Sequence, residues 1–238
     1  MQLTWYGHST WHVTVGETSF LIDPFFANPL TETDPEMLDV PDYLLITHGH
    51  ADHIGDLEHF ASETTVVGTP EITTWIGETY GADETIGMNL GGTVACGDAS
   101  VTMIQAMHSN SIQTDPSMEV GVPAGFIISD GGPDSVGDPA TTSFYHTGDT
   151  ALMSELRDVV GEFFAPDGAA IPIGDHFTMG PRQAAVAVDW MNADHVFPMH
   201  YDTFPPIEQD PQDFVTAVKN RGCDANVHVL AADESFEL

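Results

Sequence analysis

Cations are almost absent from this sequence. Only 4 of the 238 residues are Lys or Arg, against 37 Asp and Glu, and the formal net charge is −33. Nucleic-acid binding is therefore excluded as an expected function, because no basic surface is available to displace counterions from phosphates. Anionic membrane surfaces are disfavoured for the same reason. We expect neither nucleic acid nor a membrane as a partner.

Long apolar runs and a leader peptide are also missing. No hydrophobic stretch approaches the length that crosses a bilayer. Residues 1–20 contain neither the basic nor the apolar segment of a secretory signal, so a cytoplasmic location is expected. Cysteine is scarce, and Cys96 and Cys223 stand in unrelated contexts. We expect both to be packed thiols rather than metal ligands or a disulfide.

The acidic residues are dispersed rather than gathered in a tail, with no run of five or more like charges. Self-repulsion on this scale would destabilise the folded state in dilute buffer. At molar salt the screening length falls to about 3 Å, and this penalty largely vanishes. The composition therefore predicts the acidic, solvated surface of a protein from a halophile.

Short strands interleaved with a few helices make up the rest of the pattern. No linker or internal repeat divides the chain, so we expect one domain over residues 1–238. Segments 1–6, 11–15 and 18–22 predict a meander, and the apolar run 41–47 predicts a buried strand. Strands mixed with helices favour a layered α/β fold, with two stacked sheets covered by helices.

Helices are predicted where apolar residues recur at helical spacing. The predicted helices cover 71–81, 151–163, 181–193 and 210–222. In the second of these, Val159 and Phe163 are expected on the buried face together with Leu152 and Leu156. Segment 225–230 predicts a last strand.

Residues 44–56, LLITHGHADHIGD, carry the strongest chemical signal. His48, His50, Asp52 and His53 place four ligand-type side chains within six positions, directly after the predicted buried strand. Neutral imidazoles donate lone pairs to a divalent cation, and a carboxylate offsets its charge. This spacing therefore predicts a metal site.

Three further candidate ligands each follow a predicted strand directly. His108 ends SVTMIQAMH, Asp149 lies in TGDT after SFYHTG, and His200 ends HVFPMH. Sheets of α/β proteins place their sites at such strand ends. Repetition of this context after three separate strands favours a shared site.

These motifs resemble those of the metallo-β-lactamase superfamily, whose HxHxDH signature stands here as THGHADH. More narrowly, WYGHST, LIDPF, TMGP and PMHYDTFP resemble the UlaG-like, UPF0173-type branch of metal-dependent hydrolases. The resemblance covers nearly the whole chain. It implies a single-domain, four-layer αββα sandwich with a two-metal site at one edge of the sheets.

The resemblance also implies how the ligands divide between two divalent ions. The sets carried over are His48, His50 and His108 for one ion, and Asp52, His53 and His200 for the other, with Asp149 bridging both. A water held between two cations is acidified and becomes a hydroxide nucleophile. Asp52 is expected to orient that nucleophile. Histidine and carboxylate ligands suit Zn or Mn. Iron is less favoured, because flavodiiron-type relatives place Glu where this chain has His50.

Five residues around the metals receive narrower expectations. Asp23 is expected to accept a hydrogen bond from a ligand imidazole. His8 is expected to act as a catalytic acid or substrate contact, with a strand histidine bonded to the backbone as the alternative. For Asp175, His176 and Arg182 we consider substrate contacts, Arg182 as a carboxylate or phosphate binder. A turn residue and a salt-bridge partner are the respective alternatives for Asp175 and Arg182.

The expected function is metal-dependent hydrolysis of a small molecule, at either a lactone or ester-type carbonyl or a phosphodiester. Two alternatives on the same fold stay open: an iron-dependent oxidoreductase or sulfur-transfer enzyme, and a non-catalytic metal-binding domain. A homo-oligomer is also left open. The sequence does not identify the substrate.

Overall fold

Two seven-stranded sheets form the body of the protein in a computed structural model that describes residues 1–112, 118 and 120–238. The strands of the first sheet are β1 Gln2–Trp5, β2 Trp11–Val15, β3 Thr18–Ile22, β4 Tyr43–Leu45, β5 Thr65–Gly68, β6 Thr85–Gly87 and β14 Glu234–Glu237. Those of the second are β7 Thr93–Cys96, β8 Ala99–Gln105, β9 Ala124–Ser129, β10 Ser143–His146, β11 Gly168–Pro172, β12 His195–Met199 and β13 Asn226–Val227.

Each sheet is antiparallel in one half and parallel in the other. The first has the order β14-β1-β2-β3-β4-β5-β6, antiparallel up to β3 and parallel from there. The second has the order β13-β12-β11-β10-β9-β8-β7, with β10 to β13 parallel and the rest antiparallel. Strands β1, β3 and β4 therefore run in one direction, and so do β8, β10 and β12.

The main core lies between the two sheets. Alternate residues of β2 are buried, beginning with Trp11, as expected when one face of a strand turns to the interior. The Trp11 ring lies 5.5 Å from that of Phe144 and 5.6 Å from that of Phe197, measured between ring centroids. These contacts join β2 of the first sheet to β10 and β12 of the second.

Helices cover the outer faces. They are α1 Ala51–Ile54, α2 Pro70–Tyr80, α3 Pro181–Met191 and α4 Pro211–Arg221. The last three begin with Pro and end at a left-handed residue, Gly81, Asn192 and Gly222 respectively, which are common helix-start and helix-stop signals. The result is the α/β sandwich of two sheets flanked by helices that the sequence predicted. Among the described residues, no helix combines the length and the apolar character needed to span a bilayer.

The predicted α-helix over 151–163 is wrong in type and in buried face. A π-helix, Leu156–Phe164, is found instead. Leu156, Val160 and Gly161 are buried, while Val159 is 42% and Phe163 60% exposed. A Cβ at Gly161 would lie 2.0 Å from the carbonyl oxygen of Trp190. This close approach to α3 pulls Gly161 to the inner face, and the wider π-turn moves Val159 and Phe163 outward.

The π-helix allows a matched pair of substitutions. We expect Leu156→Ala to lower the free energy of unfolding by about 2–5 kcal/mol, because Leu156 is fully buried and its loss leaves a cavity. Phe163→Ala, which removes a mostly exposed ring, should change it by less than about 1 kcal/mol. Urea unfolding followed by circular dichroism in molar KCl measures both. Equal losses of unfolding free energy in the two variants would show that Phe163 is buried as Leu156 is, as helical spacing predicted.

The predicted last strand over 225–230 also needs correction. Only Asn226–Val227 pairs there, as β13. The chain instead ends in Glu234–Glu237, which pairs with β1 of the first sheet. Strand β14 buries little of its own surface. Its position is therefore determined by hydrogen bonds to β1 and not by a hydrophobic pattern.

Candidate metal centre

Six strands deliver polar side chains to one edge of the sandwich. The residues are His8 after β1, Asp23 after β3, His48 after β4, His108 after β8, Asp149 after β10 and His200 after β12. Because β1, β3 and β4 are codirectional, and β8, β10 and β12 likewise, each sheet presents three carboxyl ends together. Helix α1 adds Asp52 and His53.

One group consists of His48, His50 and His108. Their nearest ligand atoms all lie within 4.8 Å of one another. Nε2 of His48 and Nδ1 of His50 are 3.1 Å apart, and the ring of His108 lies 5.1 Å from each of the other two rings. Three nitrogen donors therefore converge as a metal ion requires.

A second group consists of His8, Asp52, His53 and His200, again with ligand atoms within 4.8 Å. His8 differs from the others because both of its nitrogens have partners. Nδ1 lies 2.8 Å from the Thr203 hydroxyl, and Nε2 lies 3.2 Å from Oδ2 of Asp52. His8 therefore holds the Asp52 carboxylate, and Asp52, His53 and His200 remain as the candidate ligands.

Asp149 lies between the two groups. Its Oδ2 atom is 3.6 Å from Nε2 of His108, 3.4 Å from Nε2 of His53 and 2.9 Å from Nε2 of His200. The carboxyl is buried, with only 2% of the side chain exposed. One carboxylate thus faces nitrogen donors from both groups.

The turn that holds Asp149 depends on its neighbours. Gly148 has a φ of +61°, and a Cβ there would lie 2.3 Å from the Ala124 carbonyl oxygen. His146 donates from Nε2 to the Ser9 carbonyl, and its Nδ1 accepts the Gly148 N–H. His146 therefore fixes the turn that precedes Asp149.

Asp23 connects His48 and His53. It accepts hydrogen bonds from the Thr47 N–H at 2.9 Å, the Thr47 hydroxyl at 2.6 Å and His53 Nδ1 at 2.7 Å. Since the Thr47 hydroxyl donates to Asp23, its oxygen accepts from His48 Nδ1 at 2.9 Å. Both imidazoles therefore carry Nδ1–H and direct Nε2 toward the centre, an orientation that supporting carboxylates fix in metal sites.

We expect Asp23→Asn to weaken metal affinity by about 10–100-fold, because the amide cannot accept from Thr47 and His53 together. Asp42→Asn is the matched control, since Asp42 also accepts from a neighbouring Ser19 N–H and hydroxyl but lies exposed, away from the centre. Competition with a chromogenic chelator measures both affinities. Unchanged affinity in the Asp23 variant would contradict the supporting role.

Burial governs the protonation of most imidazoles in the cluster. It lowers the pKa of His48 well below its usual value, and the charge of His53 adds to the effect. Burial likewise lowers the pKa of His50 and of His108, and brings that of His8 to about 3. These side chains are therefore neutral at pH 7, and neutrality is the condition for an imidazole to ligate a cation.

His53 behaves oppositely. Burial alone would lower its pKa, but the negative charges of Asp149 and Asp23 outweigh burial and raise it well above the usual value. Burial would raise the pKa of Asp149, yet the positive charges of His200 and His53 hold it well below its usual value. The two aspartates therefore stabilise a positive charge at His53, whether it is a proton or a bound cation.

Several buried atoms of the centre have no hydrogen-bond partner in the described part of the chain. They are Nε2 of His53, Oδ1 of Asp149, and Nδ1 and Nε2 of His200. Nε2 of His200 lies 2.9 Å from Oδ2 of Asp149, but without the geometry of a hydrogen bond. An unpaired buried polar atom costs about 1–3 kcal/mol. Lone pairs left bare in a cluster of imidazoles and a carboxylate fit a metal cation, whose bonds would satisfy them.

Backbone strain is concentrated in the same place. His8, Asp23 and His200 have φ values of +50°, +48° and +55°, in the left-handed region that is unfavourable for residues other than glycine. Such conformations cost of order 1–3 kcal/mol each and are typical of functional sites. The fold bears this cost to aim three side chains at one point.

The structure does not bring all the sequence candidates together. Arg182 and Asp175 line a groove between α3 and α4, and none of the cluster histidines or aspartates is among its described lining residues. His176 is exposed beside Phe177. The expected substrate contacts of these three residues stay predictions.

Three supporting residues escaped the sequence analysis. Thr47 links Asp23 to His48, and Thr203 bonds to His8. Asn110 accepts the Gly49 N–H at 2.8 Å, which fixes the turn between His48 and His50. Of these three residues, only Thr47 had a sequence signal, because it directly precedes the histidine motif.

A two-sheet α/β sandwich with a histidine and aspartate cluster at one edge defines a metal-dependent hydrolase of the metallo-β-lactamase type. Residues 18–201 match the Beta-lactamase superfamily domain. The chain belongs to this superfamily and, within it, to the UPF0173 metal-dependent hydrolases.

Relatives support that assignment over the full length. A UPF0173 metal-dependent hydrolase of Haloarcula marismortui is 60% identical, and one of Haloquadratum walsbyi 58%, each with 100% of both chains covered. The solved structure of Igni18, a metallo hydrolase of Ignicoccus hospitalis, is 34% identical with a TM-score of 0.83, over 100% of this chain and 98% of that one. Relatives from halophilic archaea fit the acidic composition.

Proposed function

We propose that this metal-dependent hydrolase uses two divalent ions to hydrolyse a small molecule at a lactone or ester-type carbonyl or at a phosphodiester. The proposed ligands are His48, His50 and His108 for one ion, and Asp52, His53 and His200 for the other, with Asp149 shared.

The position of Asp149 carries the proposal. Its Oδ2 atom faces Nε2 atoms of both groups at 2.9–3.6 Å. A single ion would leave one set of converging donors unsatisfied. Two ions, with this carboxylate between them, would satisfy both sets and offset part of their charge.

When bound, two such ions acidify a water molecule and polarise the oxygen of the substrate. Asp52 is suited to receive the proton of the attacking water, because 24% of its side chain is exposed while Asp23 and Asp149 are almost fully buried. Burial would raise the pKa of Asp52, but the His8 hydrogen bond together with the charges of His53 and His8 holds that pKa below its usual value. The carboxylate is thus ionised and fixed in place at the solvent side of the centre.

The donor set favours Zn or Mn over softer metals, because it contains only imidazole nitrogen and carboxylate oxygen. Cys96 is buried in the core, and Cys223 follows α4. Neither belongs to the cation-binding groups found among the described residues.

A metal-reconstitution experiment tests the proposal. Protein stripped with a chelator in molar KCl and reloaded with Zn or Mn should bind two equivalents. It should hydrolyse a γ-lactone, a simple ester or bis(p-nitrophenyl) phosphate only in the reloaded form. One equivalent at saturation, or a folded, loaded protein inactive on all three substrates, would refute it. Activity that appears only with iron, together with visible absorbance, would favour the oxidoreductase alternative.

A further inference from the structure

We infer that the substrate is an uncharged ester whose apolar group, about the size of a phenyl ring, packs on Phe25 and Phe204 beside His8. This inference rests on the proposed hydrolase function and names the substrate class for the same centre. In the reaction, water adds its oxygen to the carbonyl carbon and the ester C–O bond breaks. The acid retains the water oxygen and the alcohol takes up a proton.

The two phenylalanines form an apolar wall at the solvent side of the centre. The ring centroids of Phe25 and Phe204 lie 5.5 and 5.7 Å from that of His8, both edge-on, and 6.2 Å from each other. Both side chains are only partly buried. His8 in turn bonds to Asp52, so an apolar group on this wall would lie next to the carboxylate proposed to receive the proton.

The wall is held rigidly. The Phe25 N–H donates to the Thr10 hydroxyl at 3.0 Å, and Asn28 Nδ2 donates to the Phe25 carbonyl at 2.6 Å. A Cβ at Gly55 would lie 3.0 Å from Cδ2 of Phe25, so this ring packs against the backbone that follows α1. A surface fixed before the ligand arrives loses little entropy on binding.

Two further large apolar side chains are exposed in loops that hydrogen-bond to Thr150, the residue after Asp149. Met107, directly before His108, is 50% exposed, and Phe177 is 52% exposed. The Met107 N–H donates to the Thr150 hydroxyl, and the Met179 N–H donates to the Thr150 carbonyl, which ties both loops to the residue after Asp149. Exposed apolar side chains grouped around a site are typical of a ligand-binding surface.

The charge distribution argues against an anionic substrate. Arg157 pairs with Asp158, and Arg221 with Asp189 on α3. Arg182 lines the groove between α3 and α4, and Lys219 lies in the last turn of α4. Within the described residues, no Lys or Arg belongs to the cluster ion pairs, so a phosphodiester would gain no cationic contact from this chain beyond its metals.

Paired substrates test the inference. Methyl phenylacetate and methyl acetate share the same carbonyl and leaving group, and differ in the ring. With the Zn- or Mn-loaded protein in molar KCl, we expect kcat/KM to be about tenfold or more higher for the phenyl ester, and higher than for bis(p-nitrophenyl) phosphate. The preference, taken as the ratio of the two kcat/KM values, should fall close to one in the Phe25→Ala/Phe204→Ala variant, with metal content retained. Phe163→Ala, which removes another exposed phenylalanine, is the control and should keep the preference.

A binding measurement provides a readout other than turnover. In saturation-transfer NMR, 2-phenylacetamide should receive magnetisation through its ring protons from the native protein and the Phe163 variant, and much less from the double variant. An unchanged signal in the double variant, or a preference for the phosphodiester or for methyl acetate, would overturn the inference while leaving the hydrolase function intact. Loss of metal-dependent turnover of every substrate would instead refute the hydrolase function itself.

Discussion

We expect the replacement of Asp149 with Asn to lower metal-dependent turnover by about a thousandfold and to reduce the metal content from the proposed two equivalents to one or fewer. The amide keeps the size of the side chain but loses its negative charge, and it offers one acceptor oxygen where the carboxylate offers two. Metal activation contributes several kcal/mol to a hydrolytic transition state, and each 1.36 kcal/mol is tenfold in rate. Elemental analysis and steady-state assays with methyl phenylacetate measure the two effects.

Asp167→Asn is the matched control for this experiment. Asp167 lies at the other end of β10, away from the centre, where it accepts a hydrogen bond from the Ser143 N–H at 2.7 Å. It should retain two metal equivalents and native turnover. An Asp149 variant that keeps both ions and more than about a tenth of the activity would show that this carboxylate is not the bridge. Circular dichroism in molar KCl must show native folding, so that the loss is assigned to the centre.

The converging side chains were predictable because their positions relative to the strands are visible in the sequence. His48, His108 and His200 each follow an apolar strand, and parallel or codirectional strands bring their carboxyl ends to one edge. HxHxDH places three further candidate ligands, His50, Asp52 and His53, within the next five residues. The sequence pattern therefore identifies the residues that converge and gives the physical reason for their convergence.

The supporting residues were harder to predict because their contacts join distant segments. Thr203 meets His8 across 195 positions, and Phe25 and Phe204 approach the same ring from opposite ends of the chain. A threonine or a phenylalanine is a common core residue with no ligand signature of its own. Only the assembled fold reveals that these side chains surround His8.

Two errors in the fold have the same physical origin. Helical periodicity placed Val159 and Phe163 on the inner face, but close contact with α3 selects Gly161 instead. Strand β14 has little hydrophobic pattern, and its hydrogen bonds depend on β1. In both cases a tertiary contact overrides the local preference of the sequence. Hydrophobic periodicity describes only local preference, so it does not predict such contacts.

The folded state will also depend strongly on salt. We expect the melting temperature to rise by about 10 °C or more between 0.1 and 3 M KCl, which corresponds to about 3 kcal/mol or more for a chain of this length. The net charge of −33 produces repulsion that acts over a screening length of about 10 Å at 0.1 M and about 3 Å at 1 M. Differential scanning calorimetry along a KCl series measures the shift.

Salt screens repulsive and attractive charge pairs alike. The melting temperature therefore rises with salt only if repulsive pairs outnumber attractive ones. Among the Lys and Arg residues of the described structure, only Arg157 and Arg221 pair with carboxylates, and exposed pairs of this kind contribute at most about 1 kcal/mol each. The imidazole and carboxylate contacts of the centre are buried, and salt screens them much less. Salt therefore weakens many repulsions and few attractions.

Sucrose separates this mechanism from solute exclusion, because it strengthens burial without screening charge. A rise in sucrose equal to that in KCl, at matched water activity, would contradict a charge-based origin.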